Sequence, residues 1–136
     1  LVSGVTFQFV VVPVVSWPLQ RLLGGDVGES ARDLLGEPGP GRWLIIAIVV
    51  LGAPVAEELF FRGLLLRSLA RRFSDRVAVV VSAVLFAATH FKVLPFPGLL
   101  VVGLLFAYLT RRSGRLGPAI VAHAAFNAST VVALSV

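Results

Sequence analysis

Residues 43–66, from Trp43 to Leu66, read WLIIAIVVLGAPVAEELFFRGLLL. About 20 apolar residues carry a helix across the roughly 30 Å of bilayer hydrocarbon, so the stretch predicts a membrane-spanning helix. It also holds three ionisable side chains, Glu57, Glu58 and Arg62. On insertion scales each such group costs about 2.5–3.5 kcal/mol near a helix centre, which makes intramembrane charges functional by default. Glu58 and Arg62 stand four residues apart, share a face and are expected to pair. Glu57 lies about 100° further round the helix and needs a partner of its own. Pro54 withholds the helical donor from the Val50 carbonyl and, with Gly52, predicts a kink just before the acidic pair.

The rest of the chain agrees with a membrane setting. Its 136 residues are 57% hydrophobic and 14% charged, with a mean hydropathy of +0.95. Soluble domains run about 45–50% apolar and about 25% charged, so disorder and a soluble globule are both excluded. With no cysteine, disulfides, thiolate nucleophiles, Cys-based zinc sites and iron–sulfur clusters fall away together. The net charge is +5, and every basic residue except Lys92 is Arg. These charges sit between apolar runs rather than in a stripe, which suits headgroups and topology and not nucleic acid. The first residue is Leu, so the chain is expected to be a segment of a longer reading frame. Residues 1–20 lack the charged start and the Ala-x-Ala end of a signal peptide.

Outward from the central helix, the pattern predicts an all-α polytopic membrane bundle of about five transmembrane helices. They cover about Leu1–Gln20, Trp43–Leu66, Val77–Phe91, Gly98–Thr110 and Leu116–Val136. Residues 1–40 form a first helix and an extracytoplasmic-side loop, and residues 41–136 the main domain. Within the loop, Ser30 to Gly36 reads as one short helix with Ser30 as N-cap and Gly36 as stop; Glu37-Pro-Gly-Pro-Gly41 ends it. Arg67, Arg71, Arg72 and Arg76 lie between the second and third spans, Arg111, Arg112 and Arg115 between the fourth and fifth. The 21–42 loop carries four acids against three arginines. The positive-inside rule therefore makes both arginine-rich loops cytoplasmic.

The other polar residues fall inside predicted spans. Phe86-Ala-Ala-Thr-His90 ends the third, and His123-Ala-Ala-Phe-Asn127 lies in the fifth, where Ala119, Ala122, Ala124 and Ala128 let a neighbour approach. Taken singly, a histidine at a helix end or a His–Asn pair is more often packing than chemistry. Together they describe more. A carboxylate with an imidazole holds and deprotonates a water; a His and an Asn supply N–H donors to a developing oxyanion. That is the equipment for hydrolysing an amide inside the bilayer. Glu57, His90 and His123 also form a zinc-type donor set with an open position. Other protease designs are missing: there is no His-Glu-x-x-His, all three Asp lie in loops, and no Ser stands in a Gly-x-Ser-x-Gly elbow.

Glu57-Glu58-x-x-x-Arg62, Phe86-x-x-x-His90 and His123-x-x-x-Asn127, in this order, resemble the three motifs of the CAAX prenyl protease and bacteriocin-processing (CPBP) family of intramembrane endopeptidases, related to the type II CAAX enzymes. The resemblance covers residues 41–136, including the lead-in Arg111 to Pro118. It implies Glu57 as catalytic base, His90 helping to hold the water, His123 and Asn127 at the oxyanion, and Glu58 with Arg62 organising the pocket. The family has been described both as metalloproteases and as metal-independent glutamate proteases. The residues favour the metal-free form, with no cofactor required and a divalent metal such as zinc as the alternative. Expected partners are a peptide or membrane-protein substrate and the lipid bilayer. The bias to Arg points to a GC-rich bacterial genome and hence to a bacterial plasma membrane, where a prenylated substrate is not expected. The rival reading is a non-catalytic immunity or scaffold protein that keeps the polar cluster for helix packing.

Overall fold

A computed structural model of the chain describes residues 2–36 and 39–135, and every regular element among them is helical. Leu1, Glu37, Pro38 and Val136, which belong to the expected first span, the loop break and the last span, lie outside the described residues. The helices are α1 (Val2–Leu23), α2 (Glu29–Leu35), α3 (Pro40–Ala70), α4 (Asp75–Ala88), α5 (Phe96–Ser113) and α6 (Gly117–Ser135). The five expected spans are thus the five longer helices. Three of them, α1, α3 and α6, are long and apolar enough to cross a membrane. α4 has 14 residues, about 21 Å at the usual rise, short of the hydrocarbon thickness. α5 has the length but ends in Arg111 and Arg112. The 31 residues of α3 span about 46 Å, enough to cross with tilt.

α2 begins earlier than the Ser30 cap predicts. Gly28 is its N-cap residue. The Asp26 carboxylate accepts from the Gly28 amide at 2.7 Å and pairs with Arg32, so Asp26 builds the turn that starts the helix. Gly36 stops it at φ 58°, a left-handed conformation natural to glycine.

Helix α3 is not uniform. Two π-type stretches, Ile48–Gly52 and Leu59–Leu65, flank the α-helical turn Ala53–Glu58. A third, Phe7–Val11, interrupts α1. Each contains one residue more per turn than the α-helix, which turns the side chains that follow and recurs at functional sites.

Packing inverts the soluble pattern. Trp43, Leu44, Leu51, Phe60 and Leu64 are exposed on the outer side of α3, whereas Glu58, Arg62, Ser82 and His123 are buried. Apolar outside and ionisable inside is the arrangement a bilayer rewards, and the chain is a membrane protein on this ground. The core joins Phe61, Phe86, Val102, Phe106, Ala122 and Phe126. Small residues set the close approaches: a Cβ on Gly103 of α5 would lie 3.3 Å from Ala83 Cα of α4, and Gly4 of α1 sits against the Ala122 carbonyl of α6. At the arginine-rich end, Asp75 at the start of α4 pairs with Arg111 at the end of α5.

Candidate active site

The buried charges are drawn together by α3, α5 and α6. Arg62 Nη1 donates to Glu58 Oε1 at 3.0 Å, and Nη2 donates to the Gly103 carbonyl at 2.9 Å. Both side chains are fully buried. The guanidinium carbon lies 4.5 Å from the Phe86 ring centroid and 5.5 Å from that of Phe106, a cation–π cage that replaces part of the lost hydration. Glu58 Oε1 also stands 3.0 Å from His123 Nδ1. The expected Glu58–Arg62 pair is present, and its second contact reaches into the last helix.

His123 is oriented from two sides. Its ring stacks on Phe106, with centroids 4.6 Å apart and 23° between planes, and Glu58 fixes Nδ1. With Nδ1–H donating to the carboxylate, Nε2 of the neutral ring is left as an acceptor. That nitrogen lies 3.9 Å from Glu57 Oε2, too far for a direct bond. Glu57 Oε2 is buried and has no hydrogen-bond partner, while the side chain as a whole is 32% exposed. The exposed part borders a cavity of about 570 Å³, a volume typical of ligand sites.

His90 and Asn127 stand on the wall of the same cavity and outside the Glu58–Arg62–His123 network. His90 Nδ1 lies 3.0 Å from the Phe86 carbonyl, and its ring packs edge-on to Phe86; Phe86 in turn packs edge-on to His123. Among the described residues no hydrogen bond joins His90 to Glu57.

Asn127 Nδ2 donates to the Val49 carbonyl at 2.8 Å. The π-type register explains this partner. In it an amide bonds five residues back, as Ala53 N–H does to the Ile48 carbonyl. The next donor would be Pro54, which has no N–H. In that register Pro54 leaves the Val49 carbonyl without a helical donor.

Gly103, Phe106 and Ser82 were not singled out by their sequence. Ser82 Oγ donates to the Phe61 carbonyl at 3.1 Å and pins α4 to the second π-type stretch of α3. A Gly in an apolar helix or a Ser in a valine run gives no signal of such a role, because each acts through a neighbour distant in the chain.

Among the described residues no group of three or more His, Asp or Glu stands close enough together to hold a metal ion; the Nδ1 contacts of both histidines leave Nε2 as the open ring nitrogen of each.

No curated protein and no solved structure matches the chain. Residues 39–129 match the family model for type II CAAX prenyl endopeptidases of the Rce1-like kind, a stretch that contains Glu57, Glu58, Arg62, His90, His123 and Asn127. More than half of the chain is matched, on the helices that carry the buried ionisable side chains, and the chain belongs to the Rce1-like family of CAAX protease-type intramembrane peptidases.

Proposed function

We propose that the chain hydrolyses a peptide bond inside the membrane with a water activated by Glu57. One observation carries the reading: a carboxylate oxygen buried without a partner, 3.9 Å from an imidazole nitrogen and beside a large cavity. A lone acceptor in such a place costs free energy unless something fills it, and a water between Glu57 and His123 does so. Glu57 takes the water's proton as the oxygen attacks the peptide carbonyl. The same proton then passes to the leaving amine as the C–N bond breaks.

The remaining groups act around that step. Glu58 holds the His123 ring in its tautomer, and Arg62 balances the Glu58 charge. His90 supports the water or the peptide from the cavity wall. Asn127 has two amide hydrogens; one is committed to Val49, and the other remains for the oxyanion. No metal is used in this scheme, and the membrane is that of a bacterium.

The rival, an immunity or scaffold protein, accounts for the Glu58–Arg62–His123 network as packing. It leaves the orphaned oxygen of Glu57 without a purpose.

Glu57→Gln keeps the shape of the side chain and removes the base. Peptides from membranes of cells carrying wild-type or Glu57→Gln protein, compared by mass spectrometry, should differ by a set of cleavage products absent from the variant. Identical peptide sets at equal amounts of inserted protein would reject the peptidase.

A further inference from the structure

Helix α1 turns one polar face to the cavity that Glu57, His90 and Asn127 border. Gln8, Val12, Ser16 and Gln20, each four residues from the next, all line it, as does Pro13. Residues so spaced share a helix face. The helix is otherwise apolar enough to cross a membrane, where polar side chains need partners. These find none in the protein. Among the described residues no hydrogen bond engages the side chain of Gln8 or Gln20, and the buried Ser16 hydroxyl has no partner either.

Ser16 is the telling member. A helical serine often returns its hydroxyl to the carbonyl four residues back, as Ser113 does to Leu109 and Ser129 to Ala125. Ser16 does not. Its oxygen lies against α5, 3.4 Å from where a Cβ on Gly98 would stand, so close packing holds it in place. The other open buried hydroxyl among the described residues, that of Thr110, does not border the cavity.

The α1 backbone adds an acceptor. After the π-type stretch Phe7–Val11, the Val12 amide donates to the Phe7 carbonyl, five residues back. Pro13 comes next and has no N–H, which leaves the Gln8 carbonyl without a helical donor. The equivalent gap in α3 is closed by Asn127. Here both flanking residues, Gln8 and Pro13, border the cavity.

We propose that this face of α1 is a rail that holds a peptide in extended form beside Glu57. Each carboxamide carries donors and an acceptor together, the complement of the N–H and C=O groups that an extended backbone presents. A membrane helix satisfies its own backbone and has no use for such groups; an unwound segment does. Gln8 and Gln20 are 12 residues apart, about 18 Å along the helix, the length of about five residues of strand at roughly 3.3 Å each. The rail lies outside the stretch matched to the family. That the held peptide is then cut rests on the peptidase reading above; the holding does not.

The probe is a fluorescein-labelled pool of nonapeptides randomised over Ala, Val, Leu and Phe. A twin pool carries N-methyl groups on alternate amides, which keeps the side chains and removes backbone donors. Binding to the full chain with Glu57→Gln, purified in detergent, is read by fluorescence anisotropy. The parent pool should bind, and the methylated pool at least about tenfold more weakly. Ser16→Ala, Gln8→Leu and Gln20→Leu should each weaken parent binding about threefold to tenfold and leave the methylated pool unchanged. Val14→Ala, on the exposed side of α1, should change neither. Ser16→Ala removes a buried hydroxyl that nothing satisfies, so the variant should unfold no sooner than the parent protein. Equal binding of the two pools, no binding of the parent pool, or binding indifferent to all three substitutions overturns the rail. So does a Ser16→Ala variant that loses stability and keeps its binding. With Glu57 restored, the three substitutions should raise KM for a cleaved peptide and leave kcat nearly unchanged. Rail-dependent binding with identical membrane peptide sets would reject the peptidase and leave the rail standing. Cleavage whose KM ignores all three substitutions would reject the rail and leave the peptidase.

Discussion

The side-chain amide of Asn127 caps the carbonyl of Val49, 78 residues away in sequence, at 2.8 Å. The acceptor is free because Pro54 lacks the N–H that the π-type register calls for. One bond thus ties the broken turn of α3, two turns ahead of Glu57, to the last helix.

Asn127→Ala should strand that carbonyl and destabilise the protein by about 1–3 kcal/mol. Pro54→Ala supplies a backbone donor in its place. Made in the Asn127→Ala background, it should recover part of the loss. Thermal unfolding in detergent across the four proteins checks this, and additive effects would show that the two residues do not share the carbonyl.

Arg62→Leu leaves Glu58 buried without its counter-ion and should cost about 3–5 kcal/mol, enough to lower the amount of folded protein. Arg62→Lys keeps the charge but cannot bridge Glu58 and the Gly103 carbonyl with one planar group, and should fall between. The double variant Glu58→Gln with Arg62→Gln should lose less than the two single changes combined, with a coupling of about 0.5–3 kcal/mol.

Phe106→Leu removes the ring stacked on His123 and keeps an apolar side chain. The lost contact is worth about 0.5–1.5 kcal/mol. If the stack orients the imidazole for the reaction, kcat should fall up to about tenfold while the protein still inserts and folds. A change confined to unfolding temperature would assign Phe106 to packing alone.

At Gly4 a Cβ would fall 2.2 Å from the Ala122 carbonyl oxygen, so a backbone must give way. Gly4→Ala should lever α1 off α6, at about 1–3 kcal/mol, and loosen one wall of the cavity. Proteolysis of purified protein in detergent should then reach α1 sooner than in the wild type.

The metal-free scheme predicts that a purified, active preparation keeps its rate after prolonged treatment with a chelator. Irreversible loss on chelation with recovery on adding zinc would replace Glu57 as the sole activator of water.

The membrane bundle, its helices and the pairing of Glu58 with Arg62 were legible because they follow from local rules. Apolar length identifies a crossing, and two residues four apart on a helix meet. Where local rules misled, a neighbour had changed the register. The Val49 carbonyl is open to Asn127 because α3 takes a π-type turn, which no count of residues reveals. The start of α2 moved from Ser30 to Gly28 because Asp26 built the turn first. The third and fourth spans, already short for a full crossing by their apolar length, are the helices α4 and α5.

By itself the sequence determined that this chain lives in a bilayer and that the ionisable residues of its central span, Glu57, Glu58 and Arg62, need partners inside the bundle, because burying charge among lipid-facing helices is too costly to occur without a partner. It also carried the three motifs. Only the tertiary structure decided how those residues divide: Glu58, Arg62 and His123 satisfy one another, Glu57 keeps an oxygen free, and His90 and Asn127 stand on the cavity wall. Partner choice among buried groups depends on distances of a few ångströms between helices far apart in the chain, and helical periodicity fixes the face of a residue without fixing what stands opposite it.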